Sequence, residues 1–326
     1  MQIFKNPNYD FVRWRWHAIA VSLLVILGGV AVIASRGLQL GVEFEGGSIV
    51  ILKFDQVPEL QQVRSALHGL PGGGGEDAVV QNYGDPAQRQ VIVRVAQVGE
   101  ESGGSLSETA DAVVAVLRQA NLGNFTVEGT EIVGPVVGQQ LKRQGTWATI
   151  LALTGILVYI ALRFQLSFAV GAIVATIHDL LVTVAFLAFF QYDITLNVIA
   201  ALLTITGFSV NDTIVVFDRV RENMRGMRRD NLAHIVNVAV NQTLGRTVIT
   251  AGTAFLSTLA LYLFGGEVLK GLAFTMLVGI VSGTYSTVFI AAAIAIMWQG
   301  RRPLKGQQVG AAAAAPVRRP GRQRAS

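Results

Sequence analysis

The sequence predicts an α-helical polytopic membrane protein with six transmembrane helices. A small α+β domain of ferredoxin-like βαββαβ order is predicted between the first and second helices. Three observations carry this reading. Of 326 residues, 52% are hydrophobic and only 14% are charged, where a soluble domain carries about a quarter charged residues. Six apolar stretches come close to or exceed the roughly 20 residues a helix needs to cross a bilayer core. One polar segment, residues 35–145, has the length of a single small domain. So high a hydrophobic content excludes a predominantly disordered chain. The absence of cysteine removes disulfide frameworks, thiolate metal sites, iron–sulfur clusters and cysteine nucleophiles.

The spans are read at 16–34, 146–162, 166–190, 194–216, 247–264 and 272–298. The last five form one bundle, 146–298. Val32-Ile33-Ala34 passes as a weak signal-peptide cleavage site, but the first apolar run is longer than a signal core, so it is read as an uncleaved helix. Orientation follows from Lys and Arg near the spans. With the N-terminus inside, residues 1–15, Arg163, the loop 217–246 and the tail 299–326 hold 17 basic residues and 4 acidic ones. The opposite side holds 9 basic and 15 acidic residues. Both termini are therefore expected in the cytoplasm. The net charge of +5 is read as a topology signal that also suits anionic lipid, not as a nucleic-acid interface.

Within the loop 217–246, Leu232, Ile235, Val236, Ala239 and Val240 recur at helical spacing. They suggest a short amphipathic helix lying along the cytoplasmic face of the bilayer. The tail, with its alanine run and Pro/Arg repeats, reads as disordered. In the polar segment, residues 48–54 read as a strand, and Pro58 opens a helix over 59–68. Pro71 and the glycines 72–75 form a loop. Residues 79–83 and 90–95 read as a hairpin about Gly84-Asp85-Pro86. Ser105 or Ser107 caps a helix running to Gln119, with Glu108 and Asp111 favourable to its dipole. Residues 125–133 supply the last strand. The fold alone says nothing about activity.

The informative residues are the two acids inside spans, Asp179 and Asp212. A charge at the bilayer centre costs at least about 2.5–3.5 kcal/mol and normally faces the protein interior. Asp179 lies 13 residues past Leu166, roughly 20 Å along the helix and so near mid-membrane. Asp212 sits in the inner half of the next span. The tight connection between these spans makes them antiparallel neighbours, so both carboxylates can face one interior. Burial penalises the ionised form of a carboxylate, which is what a proton relay needs. His178, Ser209, Asn211, Thr213 and Thr247 supply a supporting polar seam, with His178 expected to point away from Asp179. Arg246 is placed to act as counter-ion. Gly279 and Gly283, beside Ser282, Ser286 and Thr287, permit close helix contact. The bland alternatives are an interfacial Asp212 and Arg246, a structural Asp179, and hydroxyls used only for packing.

Enzyme signals are weak, and the reading is non-enzymatic. The glycine loop lacks the Lys-Ser/Thr of a phosphate-binding loop, and four scattered histidines suggest no metal site. Asp179 and Asp212 lack the context of an intramembrane aspartyl protease, since Asn211 stands where glycine is needed. No cofactor is expected; protons are the proposed coupling ion.

The run from Gly207 to Asn223, GFSVNDTIVVFDRVREN, closely resembles the SecF-type signature of the SecD/SecF protein-export family, related to the resistance–nodulation–division transporters. Gly41-Val42-Glu43-Phe44-Glu45-Gly46-Gly47, His178-Asp179-Leu180, Gln242 to Thr247 and Leu261 to Gly266 support it, with Glu45 departing from the family's usual threonine. The resemblance implies a bacterial inner-membrane subunit paired with SecD, a six-span partner, in a SecDF complex. That complex associates with the SecYEG channel, and often YajC, and uses the proton gradient to pull preproteins outward after SecA has acted. It implies that Asp212 is the proton-coupled acid and Arg246 its functional arginine, and it gives Asp179 no equally firm role. Gly46 and Gly47 carry the family's structural turn. Two other functions fit the same outline: half of a small-molecule or lipid exporter, and a scaffold that transports nothing.

Overall fold

The computed structural model describes residues 7–56, 58–70, 75, 78–83, 86–95 and 106–299. The loop glycines 72–74, the Gly84-Asp85 turn, Ser105 and the tail from residue 300 lie outside the described residues. The first transmembrane helix is α1 (Arg15–Arg36). The α/β domain follows as α2 (Val42–Glu45), β1 (Gly47–Phe54), α3 (Leu60–Leu67), β2 (Val79–Tyr83), β3 (Gln90–Val95), α4 (Leu106–Gln119) and β4 (Phe125–Val133). The remaining spans are α5 (Pro135–Arg163), α6 (Leu166–Phe189), α7 (Leu196–Gly226), α8 (Leu232–Phe264) and α9 (Glu267–Ser286). A π-helical turn, Thr287–Ala291, continues α9 into α10 (Ala292–Gln299). Among the described residues, six helices are thus long and apolar enough to cross a membrane.

The sheet runs β2-β3-β1-β4 and every pair is antiparallel, the arrangement expected of a split βαβ domain. Strand alternation separates its two faces. Val50, Leu52 and Phe54 turn toward α3 and α4 and bury with Val63, Leu67, Val113 and Leu117. Ile49 and Ile92 turn the other way, with Ile51, Tyr83 and Val133 beside them. Gly46 precedes β1 and Gly47 opens it, at φ of 74° and 135°, a region side-chain-bearing residues avoid. The Gly46 backbone also lies against Gly138 in the first turns of α5, where an added Cβ would stand 3.2 Å from the Gly46 nitrogen.

In the bundle, α6, α7 and α9 form the centre, and glycines set their spacing. A Cβ on Gly29 of α1 would collide with Ala185 of α6, and one on Gly279 with Ile205 of α7. Gly283 fits equally tightly against Ser209. The first span is seated on this core, and Tyr285 Oη donates to Ala18 O at 2.7 Å.

One expectation is extended and one changes. The helix that carries the second span begins at Pro135, ahead of the apolar stretch read from 146, because a proline at N1 starts the helix and its polar early turns stand beyond the apolar window. The region 217–246 is not a loop: α7 runs to Gly226 and α8 starts at Leu232. No separate surface helix lies there. Its apolar stripe is the lower half of α8, where Ile235, Val236, Ala239 and Val240 pack into the bundle core beside Phe217 and Val220. The polar side of the same half clasps the N-terminal segment. Asn241 accepts from Tyr9 N and Asn237 from Phe11 N, each at 2.9 Å, and both amides donate back to Tyr9 O.

Candidate functional site

Sequence spacing places Ser209 and Thr213 one turn apart on α7, with Asp212 between them in register. On α9 the same spacing relates Ser282 and Ser286. The π turn adds one residue to a helical turn. It brings two consecutive side chains, Ser286 and Thr287, into the bundle. The result is two polar layers in an apolar interior.

The deeper layer surrounds Asp179, which is 2% exposed. Ser209 Oγ donates to its Oδ2 at 2.5 Å, Ser286 Oγ to Oδ2 at 2.7 Å and Ser282 Oγ to Oδ1 at 2.9 Å. His178 Nδ1 lies 3.1 Å from Oδ1. The expectation that His178 points away from Asp179 is therefore corrected: the imidazole folds back over its neighbour and stacks on Tyr285. Its Nε2 is buried without a hydrogen-bond partner. Among the described residues no Lys or Arg pairs with this carboxylate, and three hydroxyls and the His178 imidazole surround it.

The second layer holds Asp212. Thr247 Oγ1 of α8 donates to its Oδ1 at 2.7 Å, and its Oδ2 is buried without a partner. Thr213 and Thr287 meet beside it, oxygen to oxygen at 2.9 Å. Thr287 Oγ1 donates to the Gly283 carbonyl at 3.0 Å, and Ser286 Oγ, whose proton serves Asp179, lies 3.1 Å from the same oxygen, so that one oxygen touches both layers. Two expected members are absent from the seam. Asn211 is exposed on the outer face of α7. Arg246 is exposed and forms no ion pair with Asp212, although its charge acts on that carboxylate. Thr247 points inward because it follows Arg246 by one residue, about 100° around the helix, and Arg246 stays outside. Among the described residues no cluster of three or more His, Asp or Glu side chains is placed to hold a metal ion.

Residues 90–301 match the family described as protein export membrane protein SecD/SecF, C-terminal. The chain belongs to the SecD/SecF family. Residues 31–56, a stretch that includes Gly46 and Gly47, match the SecD/SecF GG motif. Protein translocase subunit SecF of Pseudomonas aeruginosa is 40% identical over 293 residues, covering 90% of this chain and 92% of that one. The same subunit from Escherichia coli O157:H7 is 38% identical, covering 88% and 87%. A crystal structure of SecDF, a translocon-associated membrane protein from Thermus thermophilus, superposes with a TM-score of 0.79 at 33% identity. It covers 91% of this chain, which spans only 39% of that longer SecDF chain. The SecD/SecF fold and the multi-pass membrane architecture are thereby established for this chain.

Sequence reasoning missed a further charged cluster where the sheet meets the bundle. Arg94 of β3 pairs with Asp193, between α6 and α7. Burial raises the Asp193 carboxyl above its usual range, and Arg94 opposes that rise. Glu43, Glu131 and Lys270 line the same polar cavity of about 360 Å³. These residues lie far apart in sequence, and each alone reads as an ordinary surface charge.

Proposed function

We propose that this chain is the SecF-type subunit of a SecDF complex that assists preprotein export across the bacterial cytoplasmic membrane, driven by the proton gradient. The partner is a SecD subunit, and the assembly works beside SecYEG, with YajC and SecA as associated components. The α/β domain faces the extracytoplasmic side and both termini face the cytoplasm, as the excess of basic residues on the other side favours.

One observation carries the coupling. Asp212 accepts from Thr247 on one oxygen, Thr287 stands beside it, and its second oxygen is buried without a geometric hydrogen-bond partner. Such an oxygen is under-satisfied while the group is ionised and becomes a donor once it is protonated. Proton binding thus removes a largely buried charge and lets α7 and α8 repack. One charge crossing the full potential supplies about 2.3 kcal/mol per 100 mV. That suffices to bias a two-state motion but not to break strong contacts.

The experiment is Asp212→Asn in a strain whose native copy is removed, with proton uptake measured in vesicles holding the SecD partner. The variant is expected to insert normally, export at the rate seen without a gradient, and take up no protons. Normal gradient-dependent export by Asp212→Asn would overturn the reading. Absence of proton uptake by the unaltered complex would leave a scaffold in its place.

A further inference from the structure

We infer that the ion pair between Arg94 and Asp193 is the link through which helix movement in the bundle reaches the α/β domain. The two are positioning residues of the export cycle. The inference rests on the proton-driven reading above and adds the route by which work leaves the membrane.

Register puts Arg94 opposite Ile49 on one side and Val79 on the other. Alternation then sends its side chain to the sheet face of Ile92, away from the helix-covered core of Val91, Val93 and Val95. That face looks onto the α6–α7 connection, where Asp193 meets it. The two side chains are only 18% and 15% exposed, unlike the half-exposed surface pair Arg163–Asp218 at 41% and 45%. Losing one partner of a buried pair strands an uncompensated charge, whereas surface pairs break at little cost.

The connection is also fastened by backbone. Leu40 forms a parallel bridge with Ile194. Gly41 N donates to Ile194 O at 2.9 Å and Ile194 N to Gln39 O at 2.8 Å. Gln39 Nε2 reaches Gln191 Oε1 at 3.1 Å. On the bundle side, Tyr192 stacks on Phe274 with centroids 4.5 Å apart. The turn therefore grips the domain's leading segment and its sheet together.

Both acids of the bundle lie on the two helices this turn joins. Asp179 is on α6, and α7 runs unbroken from Asp212 back to Leu196, about 24 Å at 1.5 Å per residue. A shift of either helix must carry the turn with it. Through Arg94 and the Leu40–Ile194 bridge the sheet follows as one body with the turn.

The test uses the complete complex in vesicles, with export and proton uptake read together. Arg94→Gln and Asp193→Asn are each expected to lower gradient-dependent export about tenfold while proton uptake continues. The double variant is expected to be no worse than the more damaged single one, as for residues that act through each other. Wild-type export by either single variant, or multiplying losses in the double, would overturn the inference and leave the role of Asp212 standing. A second arm covers variants that fail to fold. Because the chain has no cysteine, Leu40→Cys with Ile194→Cys gives one defined cross-link across the bridge. Oxidation is expected to leave export unchanged, since these segments already travel together. A block on oxidation that reductant relieves would show that the junction must open, and would sink the proposal.

Discussion

Thr247 and Asp212 meet at 2.7 Å across α8 and α7, and this bond occupies only one of the two carboxylate oxygens. The threonine methyl and backbone remain in the packed wall while the hydroxyl serves the acid, so the two roles can be separated by substitution.

Thr247→Val keeps the shape and deletes the donor. A hydrogen bond to a charged group is worth about 1.5–3 kcal/mol. Gradient-dependent export is expected to fall at least tenfold, with the amount of inserted protein unchanged. Thr247→Ser restores the hydroxyl and should recover most of the rate. Initial rates of preprotein export into vesicles, with and without a gradient, decide it.

The serine cage of Asp179 predicts loss of stability. Ser286→Ala leaves a buried carboxylate short of one donor and should cost about 1–3 kcal/mol. Thermal unfolding in detergent measures this. In an Asp179→Asn background the same serine change should cost less, because the charge it served is gone and the effects are coupled.

Gly279 faces Ile205 with no room for a Cβ. Gly279→Val should force α9 away from α7 and destabilise the bundle by about 1–3 kcal/mol or more. Gly207, with nothing within 4 Å of an added Cβ, should accept alanine with little change. Comparing the two unfolding midpoints isolates helix contact from any general glycine effect.

Glu43 gives a pH prediction. Burial raises its carboxyl above the ordinary 4.5, Glu131 and Asp193 add to the rise, and a backbone hydrogen bond and Arg94 oppose it. The folded chain then binds this proton more tightly than the unfolded chain. The stability it contributes is complete below its ordinary value and is lost as pH rises through the raised one. Glu43→Gln should therefore be more stable than the unaltered chain near pH 7 and match it near pH 4. Glu128, lowered by its bonds to Lys53 and Gln90, has the opposite dependence but is present in both proteins and cancels in the difference. Unfolding midpoints of the two chains across this range provide the check.

Periodicity exposed the spans and strands because burial is imposed there by lipid or by a two-sided sheet. In β1 the continuous apolar run Ile49 to Leu52 marked the strand, and the two sheet faces divide it between them. Helix ends were less visible. Polar turns such as those holding Lys142 and Arg143 are helical through backbone continuity, not through any apolar pattern. The lower half of α8 was misplaced because an apolar stripe looks the same whether lipid or protein covers it. Asp179 and Asp212 stood out by the cost of a charge in a span, Ser209 and Thr213 by proximity in sequence to Asp212, and Thr247 by following Arg246 at the opening of a span. The turning of His178 onto Asp179 and of Asn211 away from Asp212 depends on rotamer and helix phase. The register change at Thr287 has no signature in composition.

The clasp of Asn237 and Asn241 around Tyr9 and Phe11 has a consequence for biogenesis. Its halves are separated by 226 and 232 residues, so the amino-terminal arm must wait, unfastened, until four further hydrophobic segments have left the ribosome. Those two asparagines can reach the arm only after α1, α5, α6 and α7 have been made, so fastening the arm to the bundle is a late event in assembly.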